Sequence, residues 1–157
     1  DVDTRINSDE EATIDGWEMA WQHTFGDTGL GFIVNMTVAD GSATFNNLSN
    51  EPQFALPGLS DTRNAVLFYE GYGLAVRAAY NWRDTHFTGG VTQPGYQEEY
   101  EQWDASAQYE VTDGFTVFVE GINLTDSTWR THGRDPLQLY GVGQIGARFN
   151  IGFRYTY

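Results

Sequence analysis

The chain has 157 residues, enough for one structural unit with its own core, so length alone excludes little. Its formal charge of −14 comes from 22 carboxylates against eight basic residues, all of them Arg, which leaves no basic patch and argues against nucleic acid as a partner. Cys is absent, Gly is abundant at 18 and aromatic residues reach 15%, a composition that excludes a disulfide scaffold and a thiolate metal site and favours strands joined by tight turns.

From Ala12 to Phe25, Trp17, Met19, Trp21 and Phe25 share one parity and Glu18, Gln22 and Thr24 the other, the alternation of a strand with two unlike faces. Gly26-Asp27-Thr28-Gly29 is a short turn, and Leu30, Phe32, Val34, Met36 and Val38 continue the alternation on a second strand. This hairpin places Trp21 opposite Val34 and Met19 opposite Met36. Residues 41–62 carry Asn46, Asn47, Pro52 and Pro57 without a sustained period and read as a long loop. A strand near 63–69, a turn at Glu70-Gly71-Tyr72-Gly73 and a strand from Leu74 to Asp84 follow. Next come a loop at 85–100, a strand near 101–111, the turn Thr112-Asp113-Gly114 and a strand at 115–124. After a loop at 125–140, a last strand is expected from Gly141 to Tyr157.

Short turns and long loops alternate strictly over these seven strands, as they do in an antiparallel transmembrane β-barrel with short periplasmic turns and long extracellular loops. A membrane-spanning helix needs roughly 18 consecutive apolar residues and none is present; a transmembrane strand needs only about 9–11 residues of alternating character. Complete single-chain bacterial barrels have an even strand number, so seven suggests part of a larger barrel. Ser8 to Glu11 show no apolar alternation, so residues 1–11 are not expected to add an eighth strand. Asp1-Val2-Asp3-Thr4-Arg5 is no export signal, so the signal is expected to have been cleaved or to lie outside a fragment.

On the last strand Ile145, Ala147, Phe149, Ile151, Phe153, Tyr155 and Tyr157 occupy one uncharged face, opposite Gln144, Arg148, Asn150, Arg154 and Thr156. Terminal aromatics suit a membrane interface, where a ring sits among headgroups and a hydroxyl stays wet. On the polar faces, one register would set Arg83 opposite Asp104 and Arg77 opposite Glu110, and another would set Glu120 opposite Arg148. Such lumen charge pairs are structural or simply solvated.

Five segments in this order resemble the C-terminal barrel region of TonB-dependent outer-membrane receptors. They are Gly16-Trp17-Glu18, Leu56-Pro57-Gly58-Leu59-Ser60-Asp61, Ala79-Tyr80-Asn81-Trp82-Arg83, Gly121-Ile122-Asn123-Leu124-Thr125-Asp126 and Gly152-Phe153-Arg154-Tyr155-Thr156-Tyr157. The subclass they look most like is the proteobacterial one associated with carbohydrate uptake. The resemblance implies a plugged barrel of about 22 strands, of which this chain would supply the last seven or so. It further implies a Gram-negative outer-membrane location among lipid and lipopolysaccharide, and contact with the TonB complex through an N-terminal region that is not in this chain. The terminal Phe153, Tyr155 and Tyr157 would resemble the signal read by the barrel-assembly machinery.

No catalytic constellation is visible: His23, His86 and His132 lie apart, without a Ser or Cys arrangement of hydrolase type. Nothing calls for a cofactor or a metal, since the acidic run Asp1, Asp3, Asp9, Glu10 and Glu11 lacks the glycine and ligand spacing of a calcium loop. The candidate substrate-binding residues are His86, Tyr96 and Tyr100 in one loop and Trp129, Arg130, His132 and Arg134 in the next. Rings beside hydrogen-bonding groups suit sugars or chelating groups alike, and the resemblance to the carbohydrate-associated subclass implies an oligosaccharide before a siderophore; the same residues could serve as loop anchors. Three readings stand at this point: a segment of an importer, a complete small barrel with a structural or adhesion role, and a soluble glycan-binding β-sandwich. The second requires an eighth strand and closure, and the third requires one face of each sheet to pack inward.

Overall fold

The computed structural model describes residues 10–157, in which all regular structure is β. The strands are β1 (Ile14–Thr24), β2 (Leu30–Gly41), β3 (Thr62–Gly71), β4 (Leu74–Arg83), β5 (His86–Gly89), β6 (Gly95–Gln97), β7 (Tyr100–Thr112), β8 (Phe115–Ile122), β9 (Thr128–His132), β10 (Leu139–Gln144) and β11 (Arg148–Tyr155). Seven form one antiparallel sheet in the order β1-β2-β3-β4-β7-β8-β11, and the other four form a smaller sheet in the order β10-β9-β6-β5. The large sheet is open, with β1 and β11 as its edges.

Its strands fall where the alternation places them. Trp21 faces Val34 and Met19 faces Met36 across the first hairpin. The β3–β4 turn has Tyr72 and Gly73 both at positive φ, the geometry whose twist matches the flanking strands. All three short turns lie at one end, and the connections 42–61, 84–99 and 123–147 all leave from the other.

Three expectations are corrected. The segments 85–100 and 125–140 are not plain loops, because they contain β5, β6, β9 and the start of β10. The expected strand from Gly141 to Tyr157 is broken in two: β10 pairs with β9 in the small sheet, and β11 pairs with β8 in the large one. Gly146, at φ 80°, lies in the break and takes a conformation that extended strand does not allow. The charge-pair registers are also shifted. Arg83 faces Tyr100, Asp104 faces Ala79 and Arg77 faces Ser106, while Glu110 falls beyond the end of the β4 ladder. Glu120 faces Asn150 and Arg148 faces Ile122. Each shift is an even number of residues, so every charge stays on its expected face but loses its expected partner. The acidic run and the question of an eighth strand concern mainly residues 1–9, outside the described residues.

The outer face of the large sheet carries Trp17, Met19, Val34, Leu67, Val76, Val117, Phe149, Ile151 and Phe153, all of them exposed; Trp17 is 79%, Ile151 87% and Phe153 72% accessible. The six buried residues among those described are Gly31, Pro94, Gly121, Asn123, His132 and Gly133, so no hydrophobic core exists among them. The accessible surface is 11463 Å², against about 7,900 Å² expected of a compact monomer of this mass. The opposite face holds Gln22, Arg77, Ser106, Gln108, Glu120 and Arg154 around a recess of about 460 Å³.

A recurrent device sets this sheet: an aromatic ring lies across a glycine directly opposite it. Phe68 faces Gly31, Phe118 faces Gly152 and Phe149 faces Gly121. A Cβ on Gly31 would stand 2.3 Å from the Phe68 ring, and one on Gly152 would stand 2.6 Å from the Phe118 ring. These glycines are therefore required for space, with the ring filling the gap left by the missing side chain. Gly152→Ala is expected to displace Phe118 and to cost about 1–3 kcal/mol in urea unfolding. A change below about 0.5 kcal/mol would mean that Phe118 yields without consequence.

Candidate functional site

The three long connections are knitted together at one end of the sheet. Phe45, from the 42–61 connection, stacks on Phe87 of β5 at 5.4 Å, Phe87 meets Tyr96 of β6 at 5.7 Å, and Tyr96 stacks on His132 of β9 at 5.3 Å. The Tyr96 hydroxyl donates to Asn47 Oδ1 at 3.0 Å. Arg134 donates to the carbonyl oxygens of Asn47 at 2.8 Å, Thr92 at 2.6 Å and Ser49. The residues expected to partner each other across β4 and β7 act as brackets instead. Arg83 donates from Nε to Ser60 Oγ at 2.8 Å and from its terminal nitrogen to Gly58 O at 2.7 Å. Asp104 Oδ1 accepts from Gln102 at 2.8 Å and from the Asn123 N–H at 2.9 Å, fixing the turn after β8.

The small sheet sorts the expected ligand residues onto two faces. Cross-strand pairing puts His86, Gln97, Thr131 and Trp129 on one face and Phe87, Tyr96, His132 and Arg130 on the other. Tyr96, His132 and Arg134 thus serve mainly as loop anchors, and His132 is buried. Arg130 pairs with Glu98 at 3.6 Å, the single ion pair among the described residues.

The first face meets the polar side of the large sheet around a cavity of about 420 Å³, lined by Arg83, His86, Gln97, Glu98, Tyr100 and Trp129. Its size is that of a small-molecule site. His86 Nδ1–H donates to Asp84 O at 3.2 Å, which leaves Nε2 as an acceptor. Burial lowers the His86 pKa, the bond to Asp84 O opposes this, and the nearby Arg83 charge adds to the lowering, so the ring is neutral at pH 7. The Tyr100 hydroxyl donates to Gln102 at 2.8 Å and keeps acceptor capacity.

Of the seven candidate ligand residues, the fold gathers His86, Tyr100 and Trp129 here and places Tyr96, Arg130, His132 and Arg134 on the far side. Arg83 and Gln97 were not expected at this site, because their presence depends on a pairing between two loops that no local pattern reveals. Phe153 and Tyr155 lie on the outer face of β11, and Tyr157 follows the strand, fully exposed. Compared with protein-family models, curated proteins and solved structures, the chain gives no match in any of the three.

Arg134→Ala removes the donor shared by three carbonyls of two connections, at about 1.5–3 kcal/mol for a charged hydrogen-bond donor. Amide exchange over residues 46–53 is expected to quicken about tenfold or more, while the β4–β7 ladder stays protected. Unchanged exchange there would mean that the aromatic stack alone holds the connection.

Proposed function

We propose that this chain is the C-terminal part of an outer-membrane transport barrel of the TonB-dependent receptor type, which imports a nutrient, an oligosaccharide rather than a siderophore. The observation that carries the reading is the continuous outward apolar face on a sheet with no buried hydrophobic core among the described residues. In water such a surface drives aggregation; in a bilayer it is the solvent-facing side.

The dimensions support it. On β4 the outward residues run from Leu74 to Trp82, about 27 Å along an antiparallel strand and about 21 Å of height at a barrel tilt of about 40°, comparable with the apolar band of about 25 Å in outer-membrane barrels. Aromatics flank the band at both ends. Tyr80 meets Trp103 at 4.9 Å and Arg63 lies over Trp82 at 4.5 Å near the long connections; Tyr69, Tyr109 and Tyr155 stand near the short turns. The open edges of β1 and β11 present unpaired backbone groups, which earlier barrel strands would satisfy. On this reading the long connections are extracellular, and the plug and the TonB-contacting segment belong to a preceding region of the receptor.

The reading predicts that the polypeptide fractionates with outer membranes and resists carbonate extraction, with an immunoblot mass several times 17.6 kDa. Ile151→Arg is expected to destabilise folding into lipid vesicles by about 2–4 kcal/mol, and Asn150→Arg on the opposite face by much less. In a water-soluble protein an exposed Ile151 would tolerate Arg within about 0.5 kcal/mol, so two near-neutral variants in a soluble fraction would sink the membrane reading.

A further inference from the structure

We propose that the cavity between the two sheets is a subsite for a pyranose ring carrying a carboxylate, with Trp129 as the stacking platform and Arg83 as the partner of the carboxylate. The inference deepens the transport reading and rests on it for the role of the bound sugar in uptake.

The platform is built into β10. Trp129 faces Gly143 across the β9–β10 ladder, and a Cβ on Gly143 would stand 2.0 Å from the indole Nε1 and 2.4 Å from Cζ2. Gly143 has no positive φ, so its backbone does not require glycine; the indole does. The ring also reaches over Gly141, whose Cβ would meet Cζ3 at 3.7 Å. Trp129 is thus supported on β10, is 37% exposed as a whole and lines the cavity. The electron-rich face of a held indole attracts the weakly positive C–H face of a sugar ring, and the support removes much of the entropy cost of ordering the side chain.

Arg83 supplies the charge selectivity. Its two hydrogen-bond partners, Ser60 Oγ and Gly58 O, are neutral, and no carboxylate lies within ion-pair distance of it among the described residues. The fork is therefore held in place without an ion-pair partner among the described residues and with one terminal nitrogen left over, a geometry that favours a carboxylate over a neutral hydroxyl. Glu98, the one acid lining the cavity, is already matched by Arg130. Neutral His86, Gln97 and Tyr100 provide the acceptors and donors that ring hydroxyls need. The chain carries −14 overall, so an anion without a ring to stack gains too little at Arg83 to stay; selectivity requires both parts.

The test is calorimetric titration of the full-length receptor in detergent with trigalacturonate, with neutral galactotriose and with acetate. Trigalacturonate is expected to bind at least tenfold more tightly than galactotriose, and acetate not measurably. Arg83→Gln should bring the ratio of trigalacturonate to galactotriose affinity to about one; Arg83→Lys, which keeps the charge, should retain a preference above threefold. Trp129→Ala and Gly143→Ala should each weaken both trisaccharides at least tenfold. Equal affinities, no binding of either trisaccharide, a preference that survives Arg83→Gln, or its loss with Arg83→Lys would overturn the inference. Selective binding by a protein found in the soluble fraction would keep the subsite and overturn the transport reading; an outer-membrane protein without the preference would do the reverse.

Discussion

The large sheet turns a continuous apolar face outward and has no buried hydrophobic core among the described residues, and the rest of the structure follows from that constraint. Without burial, nothing in the described residues replaces the hydrophobic term that normally offsets the entropy of ordering a chain. Order is instead carried by backbone ladders, which run continuously from β1 to β11, and by whatever covers the outer face. A lipid bilayer, the environment proposed for this surface, makes those ladders decisive, because an unpaired backbone group there has no water to turn to. Strand pairing and outward hydrophobicity are then two consequences of one solvent.

Glycine has a specific part in that arrangement. Placing Phe68, Phe118 and Phe149 across Gly31, Gly152 and Gly121 lets bulky rings lie along the sheet where a Cβ would force them off. The small sheet repeats the device with Trp129 across Gly143, and there the ring lines a cavity instead of completing a strand face. One packing solution thus serves both the scaffold and the candidate site. The loop brackets are similarly shared: Arg83 holds the 42–61 connection and also lines the cavity, so the charge proposed to select ligands is positioned by the same bonds that order the loop.

Much of this was legible in the residues. The alternation from Trp17 to Phe25, and from Leu30 to Val38, has a period of two that nothing but a strand satisfies, and turn chemistry such as Tyr72-Gly73 and Asp113-Gly114 marks where the chain reverses. These signals are local, and the seven strands, their faces and the end from which the long connections leave were determined by them. Register was not. The expected pairs Arg83 with Asp104 and Glu120 with Arg148 keep the correct face yet miss by four and two positions, because parity is written in side-chain chemistry while register across a long connection depends on how that connection folds.

The second sheet and the cavity belong wholly to the tertiary structure. The segments β5, β6 and β9 are three to five residues long, too short to show a period; β5 pairs with β6 inside one connection, and the pairing of β6 with β9 joins it to the next. His86, Tyr100 and Trp129 therefore stood out as loop residues with ligand chemistry, while nothing in the sequence joined Arg83 and Gln97 to them. The sequence by itself determined strands, faces and turns, since these rest on neighbours two residues apart; only the tertiary structure decided which loop residues meet, since that rests on contacts between connections whose separation along the chain leaves no periodic trace.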